Sequence, residues 1–419
     1  MTVSNPRTSR LHDPLIPGVA VLLEEGIPAP LEAVAAELSG DLKSAEAIQA
    51  TWWPGRTITV RYRARFEGGQ IPGEHQLVAV AGDIPDGAMI VEGGGGAQIG
   101  LWRVPFDPQL PGLASALDPG TTGALLDDLG LDPGKVRTRL RAYRPGKRAV
   151  VEVTRPSGSV FLKVVPTTEV QRLHRVHQLL VQHLPVPHSL GYSPDLGIIA
   201  LQTLPGTTLR DRLTARGPLP SPASLDALLA ALPKPEKTWK TGSPIGRLPR
   251  LAGLLATLLP EQDAMINELV GAIGEETFTP DHSVHGDFYE AQVMAVKNKI
   301  TGLLDFDTFG WGRAADDPAT MIGHLAVLSA GHNDPRLRSF AAEVLQRADS
   351  RLDSADLRRR VAAVITSLAT GPFRVQRANW PEATADRLAL AARWVESAHR
   401  VDKSSLTVAS GPSHPPVAS

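Results

Sequence analysis

Two acids and an amide between residues 287 and 305 have the types and order that phosphoryl transfer from a metal-bound nucleotide requires. They stand in Ser283-Val-His285-Gly-Asp287-Phe-Tyr-Glu-Ala-Gln292-Val-Met and in Ile300-Thr-Gly-Leu-Leu-Asp305-Phe-Asp307. A hydroxyl that attacks phosphorus needs a carboxylate within hydrogen-bond reach to take its proton. The phosphates need a second carboxylate and an amide oxygen to hold a divalent cation against them. Asp287 suits the first task, Asp305 and Gln292 the second. The runs Gln292-Val-Met-Ala-Val and Thr301-Gly-Leu-Leu have strand character, and a tight hairpin around Lys297-Asn-Lys299 brings the acids together.

This pattern resembles the aminoglycoside phosphotransferase family of small-molecule kinases. The catalytic loop of that family reads His-Gly-Asp, four residues, then Asn, and an Asp closes the next strand. Gln292 takes the place of the Asn, a departure that resembles the maltokinase branch of the same superfamily. The resemblance spans about Val136 to Trp394. It implies an α+β, bilobal protein-kinase-like fold with an antiparallel-sheet N-lobe and a mostly helical C-lobe, and it implies ATP and magnesium as cofactors. Residue by residue it implies Asp287 as base, Gln292 and Asp305 as magnesium ligands, His285 as a brace on the backbone near Asp305, and Lys163 as the phosphate-positioning lysine. Asp307 falls on the same strand face as Asp305 and either serves a second metal or hydrogen-bonds the loop. In Pro145-Gly146, the Gly146 backbone N–H is placed to cover phosphates. The usual partner of such a lysine is a Glu on the following helix. Glu169 is the only acid there, and it sits too near the helix start to suit that role.

The elements that must carry these residues follow from periodicity. Residues 1–15 read as a flexible arm and 16–132 as a small β-rich N-terminal cap domain. In the cap, Ile58, Val60, Tyr62, Ala64 and Phe66 alternate with Thr59, Arg61, Arg63 and Arg65, which predicts a half-buried strand with a solvated arginine face. Gly93 to Gly96 is followed by neither a helix nor a Lys-Ser/Thr pair, so it reads as a hairpin loop. Prolines at 105, 108, 111 and 119 mark a joining stretch. Residues 133–204 form the N-lobe, with strands over 136–143, 149–154 and 160–165 and a helix over 169–182. Residues 205–402 form the helical C-lobe, and 403–419 a disordered tail.

Composition excludes several classes. A net charge of −1 provides no field for nucleic acid or an anionic membrane. The absence of cysteine excludes disulfides and thiolate metal sites, which fits a cytoplasmic chain. No apolar run of signal-peptide length opens the sequence, and none is long enough to span a bilayer. The expected partners are therefore a nucleotide and a small hydroxyl compound. Only 12 residues separate Asp305 from Asp317-Pro318, which leaves no platform for a peptide acceptor. Acids and bases are evenly mixed between Pro205 and Arg400, which disfavours a polycationic aminoglycoside and leaves a sugar or amino sugar as first expectation. Trp311 and Trp380 are either stacking surfaces for a sugar ring or core residues. Two rival readings stand: a catalytically silent kinase-like binding protein, and an antibiotic phosphotransferase.

Overall fold

Strict alternation along residues 57–67 leaves one apolar strand face that must be covered. The computed structural model, which describes residues 11–409 apart from 25, 38, 39 and 278, shows how. Strands β1 (Asp41–Trp53), β2 (Thr57–Glu67), β3 (Gly73–Gly82), β4 (Met89–Glu92) and β5 (Gln98–Arg103) form an antiparallel sheet in the order β1-β2-β3-β5-β4. Ile58, Val60, Tyr62, Ala64 and Phe66 are buried beneath helices α1 (Gly18–Leu22) and α2 (Ala29–Glu37). The glycines 93–96 join β4 to β5, as a hairpin loop should.

Two expectations for this region need correction. Residues 11–15 are not part of a loose arm: Leu11 and the adjoining Ile16 are buried, and the Asp13 carboxylate accepts from Trp52 Nε1 at 3.3 Å and the Gly55 N–H at 2.7 Å. Residues 1–10 lie outside the described residues. The proline-broken stretch also holds two helices, α3 (Leu113–Leu117) and α4 (Pro119–Asp128), the second capped by Asp118 with proline at its first position. Leu110, Leu113, Ala116 and Leu126 share a core with Val151, Val153 and Leu162 of the N-lobe and with Val78, Val80 and Trp102 of the cap. Cap, linker and N-lobe are thus packed as one body.

The N-lobe sheet runs β6-β7-β8-β10-β9, from β6 (Arg137–Arg144), β7 (Arg148–Arg155), β8 (Gly158–Val164), β9 (Ser189–Ser193) and β10 (Ile198–Gln202). Helix α5 (Thr167–Leu180) lays Val170 and Leu173 against Ile199 and Leu201 on its other face. Beyond the hinge come β11 (Thr207–Thr208), α6 (Leu209–Thr214), α7 (Pro222–Ala230), α8 (Leu248–Leu258) and α9 (Asp263–Ile273). The catalytic segment follows as β12 (His282–Val284), β13 (Val293–Val296), β14 (Lys299–Leu303) and β15 (Gly310–Gly312). The hairpin of β13 and β14 turns at Lys297, with φ +53. Helices α10 (Asp316–Gly331), α11 (Pro335–Asp349), α12 (Ser354–Ala369), α13 (Gly371–Arg374) and α14 (Trp380–Ala409) complete the C-lobe. Because α14 continues to Ala409, the tail expected from residue 403 begins as helix; residues 410–419 lie outside the described residues. Among the described residues no helix is long and apolar enough to cross a membrane.

Candidate active site

Pairing of β12 with β15 sets Val284 opposite Gly310, so the loops that leave these strands, 285–292 and 304–309, run side by side. Backbone geometry locks them. The His285 and Gly286 N–H groups donate to the two oxygens of Asp317, at 2.7 and 2.9 Å, from the first turn of α10. His285 Nε2 lies 2.8 Å from the Leu304 carbonyl, and its ring is 4.5 Å from that of Phe306. Burial drives the His285 imidazole down to about 4, so the ring is neutral and its Nε2–H donates to Leu304. Burial likewise pushes the Asp317 carboxyl up to about 7. Gly286 has φ +81, and a Cβ there would sit 2.7 Å from the Thr308 carbonyl oxygen; glycine is the residue this approach permits.

Asp305 itself has φ +62, an uncommon conformation for a residue with a side chain and one that collects at functional positions. Its carboxylate accepts from Lys163 Nζ at 2.9 Å and Arg148 Nη2 at 2.8 Å. Asp307 accepts from Arg148 Nη1 at 2.6 Å and from the same Lys163 ammonium. Burial works to raise the Asp305 carboxyl, but Lys163 and Arg148 outweigh it and hold the group well below the usual carboxylate range. The Gln292 amide nitrogen is 3.4 Å from Asp305 Oδ2, and the Leu304 N–H donates to the Gln292 carbonyl at 2.9 Å.

Asp287 is different. No donor among the described residues bonds its carboxylate, although it is largely withdrawn from water. Burial, then the neighbouring Asp305 charge, raise it to about 6, against the opposing pull of Arg148, Arg247 and Arg144. A carboxylate poised near neutrality and free to accept is what proton abstraction from a hydroxyl needs.

Lys163 does not meet Glu169. Helix α5 instead sends Arg172 to the Asp307 and Phe309 carbonyls, at 2.9 and 2.8 Å, which ties the helix to the loop 304–309; both acids lie in this loop and not on the strand face expected for them. The Gly146 N–H is also engaged: with φ +64 it donates to Asp107 Oδ2 at 2.8 Å, and a Cβ there would strike Gln109 Oε1 at 2.1 Å. Tyr143 Oη donates to the same Asp107 oxygen at 2.8 Å and accepts from Trp102 Nε1 at 3.0 Å. Arg148, Arg172 and Asp107 were not singled out from sequence. Only Arg148 carried a local signal, as the basic residue that closes the β6–β7 turn.

A model of the phosphotransferase enzyme family matches residues 140–362, more than half of the chain and the whole of this constellation except the cap and linker. The chain belongs to that family. Its reaction class is accordingly phosphoryl transfer to a small molecule. No curated protein matches the chain. Among solved structures, a thermostable mutant of aminoglycoside phosphotransferase APH(4)-Ia, in ternary complex with ADP and hygromycin B, is 14% identical over 66% of this chain and 97% of that one, with a TM-score of 0.45. Macrolide 2'-phosphotransferase MphH from Brachybacterium faecium is 18% identical over 65% and 97%, with a TM-score of 0.42. Choline kinase from Cryptosporidium parvum Iowa II is 8% identical over 62% and 89%, with a TM-score of 0.43.

The magnesium that the family resemblance implies takes hard oxygen donors, and the residues expected to hold it carry oxygens of that kind. Asp305, Asp307 and the Gln292 amide, once turned to present its oxygen, are the donor types that a small, strongly hydrated cation takes alongside phosphate. Among the described residues no three His, Asp or Glu side chains gather at one point, and a cation shared with phosphates does not require them.

In front of the β6–β7 turn a cleft of about 1100 Å³ opens between lobe and cap. Its walls come from β1 and β2, the turn, the start of α5, α8 and α13. Trp52 reaches across to Phe373 with ring centres 6.3 Å apart, so the cap touches the C-lobe and closes the far side. Trp380 is buried, 5.3 Å from Phe373, and Trp311 donates to the Glu236 carbonyl at 3.0 Å; neither lines the cleft. The indoles that line it, Trp52, Trp53 and Trp102, belong to the cap.

Proposed function

We propose that this phosphotransferase moves the terminal phosphoryl group of ATP to a hydroxyl of a small polar metabolite, a sugar in the first instance. The observation that carries the reading is Asp287, a carboxylate that no described residue bonds, raised toward neutrality by burial and by the charge of Asp305, which itself holds Lys163 and Gln292. Magnesium, when bound, would offset the negative charge of the phosphates in the transition state. Asp305 and Gln292 would hold it, with Asp307 as a second carboxylate within reach. Lys163, on the middle of the N-lobe sheet, supplies a positive charge that can pass from the aspartates to phosphate oxygens.

The proton path ends on Asp287. As the acceptor oxygen bonds to the terminal phosphorus, its hydrogen passes to this carboxylate and the bridging oxygen leaves with ADP. His285, neutral and committed to Leu304, has no part in that transfer; it holds the loop. The phosphates of the nucleotide would lie beneath the Arg144–Arg148 turn, beside Lys163 and Asp305. The reading is tested by assaying ADP formation from ATP over a hydroxyl panel with and without magnesium, alongside nucleotide binding by thermal shift. Magnesium-dependent binding and acceptor-dependent ADP release are expected. Binding without turnover across the panel would leave a silent binding protein.

A further inference from the structure

The wall of the cleft is far more basic than the chain. Arg61, Arg144, Lys147, Arg247, Arg250 and Arg374 all line it, and none forms an ion pair with a carboxylate among the described residues. Three acids line it too. Asp83 is paired with Arg56 at 2.5 Å and Asp307 with Arg148 and Lys163, while Glu169 has no ion pair among the described residues. For a protein with a net charge of −1, this is a marked local excess of cations.

Phosphates of a nucleotide can account for Arg144, Lys147 and Arg148, which all sit in or beside the turn that would cover them. They do not account for the others. Arg61 stands on β2, Arg247 and Arg250 at the start of α8, and Arg374 on α13. The hinge residues 202–206, where the base of a nucleotide would lie, do not line the cleft. These cations also keep one another at a cost. Burial and then the charge of Arg374 pull the Arg144 guanidinium down, and burial and then Arg56 do the same to Arg250. Arg61 donates Nη1 to the Tyr143 carbonyl at 2.9 Å, while its buried Nε has no partner. Arg250 lies over the Trp53 ring, a flat apolar surface beside a cation. An anion bound here would satisfy donors that the protein leaves open. Arg247 belongs to this wall and its charge also acts on Asp287, which relates the wall to the acceptor side of the proposed reaction.

We infer that the acceptor is a hydroxyl compound that itself carries an anionic group, a carboxylate or a phosphate, held by Arg247, Arg250 and Arg374 while its hydroxyl faces Asp287. The inference rests on the proposed reaction for the role of acceptor, but the anion preference stands on the cleft alone. It opposes a polycationic antibiotic or an amino sugar as substrate.

The test is calorimetric titration of the full chain saturated with Mg-AMP-PNP, so that the turn is occupied and further anion binding reports on the cleft. Glucose, glucosamine, glucuronate and glucose 6-phosphate share one frame and differ in charge. The two anions should bind at least about tenfold tighter than glucose, and glucosamine should bind more weakly than glucose. Arg250→Gln and Arg374→Gln should each remove about fivefold of that preference without moving the affinity for Mg-AMP-PNP. A flat series, or one in which glucosamine binds tightest, overturns the inference. Inorganic phosphate that binds as tightly as the sugar anions overturns it as well, because the cleft would then hold an ion and no acceptor. Failure of Mg-AMP-PNP to bind would count against the proposed reaction instead, and the same sugar series on the free chain would still decide the charge preference.

Discussion

Two ionic clusters in this molecule look alike on paper and are built for opposite ends. In the C-lobe, the guanidinium of Arg360 is fully buried and donates to Asp316 at 2.7 Å, Glu276 at 2.8 Å and Asp356 at 2.9 Å. At the candidate active site, Lys163 and Arg148 hold Asp305 and Asp307 at similar distances. The first cluster draws its charges from α10, α12 and the segment after α9, all within one lobe. The second takes its cations from the N-lobe sheet and its anions from the C-lobe, and its Asp305 charge acts on Asp287, an acid that no described residue bonds. Buried ion pairs perturb pKa values wherever they occur, so perturbation alone does not mark a site. What separates the two is whether the charges can change partners. On the proposed reaction Lys163 and Arg148 would release the aspartates to a cation and turn to phosphate; Arg360, enclosed by three carboxylates in the C-lobe, has no such exchange.

The largest effect should come from the group outside both clusters. Asp287→Asn removes the proton acceptor and should lower kcat by about 10²–10⁴-fold. Because no donor among the described residues bonds Asp287, the melting temperature and nucleotide binding should hold. Wild-type turnover by this variant would remove the catalytic reading altogether.

Arg360→Met should do the reverse. It leaves the Asp316 carboxylate without its cation, and breaking one partner of a buried pair costs about 3–5 kcal/mol. Urea unfolding should record that loss, while the protein that remains folded at low temperature keeps its kcat. A variant that stayed stable but turned over slowly would show that the C-lobe cluster also serves the site.

A third contrast is in pH. Asp287 has a folded pKa raised to about 6, and only its charged form accepts a proton. The rate kcat/KM should therefore fall about tenfold per pH unit as pH drops below about 6, with no loss above it from this group. The Arg360 cluster contributes no such limb. An acid limb near 4, the ordinary carboxylate range, would mean that the neighbouring arginines cancel the burial of Asp287.

The floor of the cleft was legible in the sequence because each of its parts is local. The loop from His285 to Gln292, the hairpin at Lys297 and the step from Asp305 to Asp307 lie within a short segment, and the hydrophobic alternation around them fixes their register. The roof was not legible. Arg61 falls on the polar face of a strand whose neighbour Arg63 is the solvated residue expected, paired with Glu46 at 2.9 Å. Only the packing of cap against lobe turns Arg61 inward to Tyr143. The Lys163 partner was sought on α5 because that is where the family keeps it, yet here the ammonium reaches the aspartates directly. The helices in the linker were hidden by their prolines, two of which turn out to start or precede helices rather than break them.

That packing leads to the smallest and most specific prediction. Asp107 is a buried linker residue whose carboxylate accepts from Tyr143 Oη, the Gly146 N–H and the Gln109 N–H. Through it, the linker and Trp102 of the cap hold the turn over the expected phosphate position. Asp107→Asn keeps the shape but places an amide where one acceptor stood, and losing one charge-assisted bond is worth about 1.5–3 kcal/mol. If the linker acts through the turn, the KM for ATP should rise about tenfold while kcat and the KM for the acceptor change little. Because Trp102 donates to Tyr143, its fluorescence should shift in the same variant as the network loosens. A fall in melting temperature with an unchanged KM for ATP would mean that Asp107 only joins cap to lobe. The roof would then resemble the Arg360 cluster, a structural tie, and the contrast between closed and exchangeable charges would apply to the floor alone.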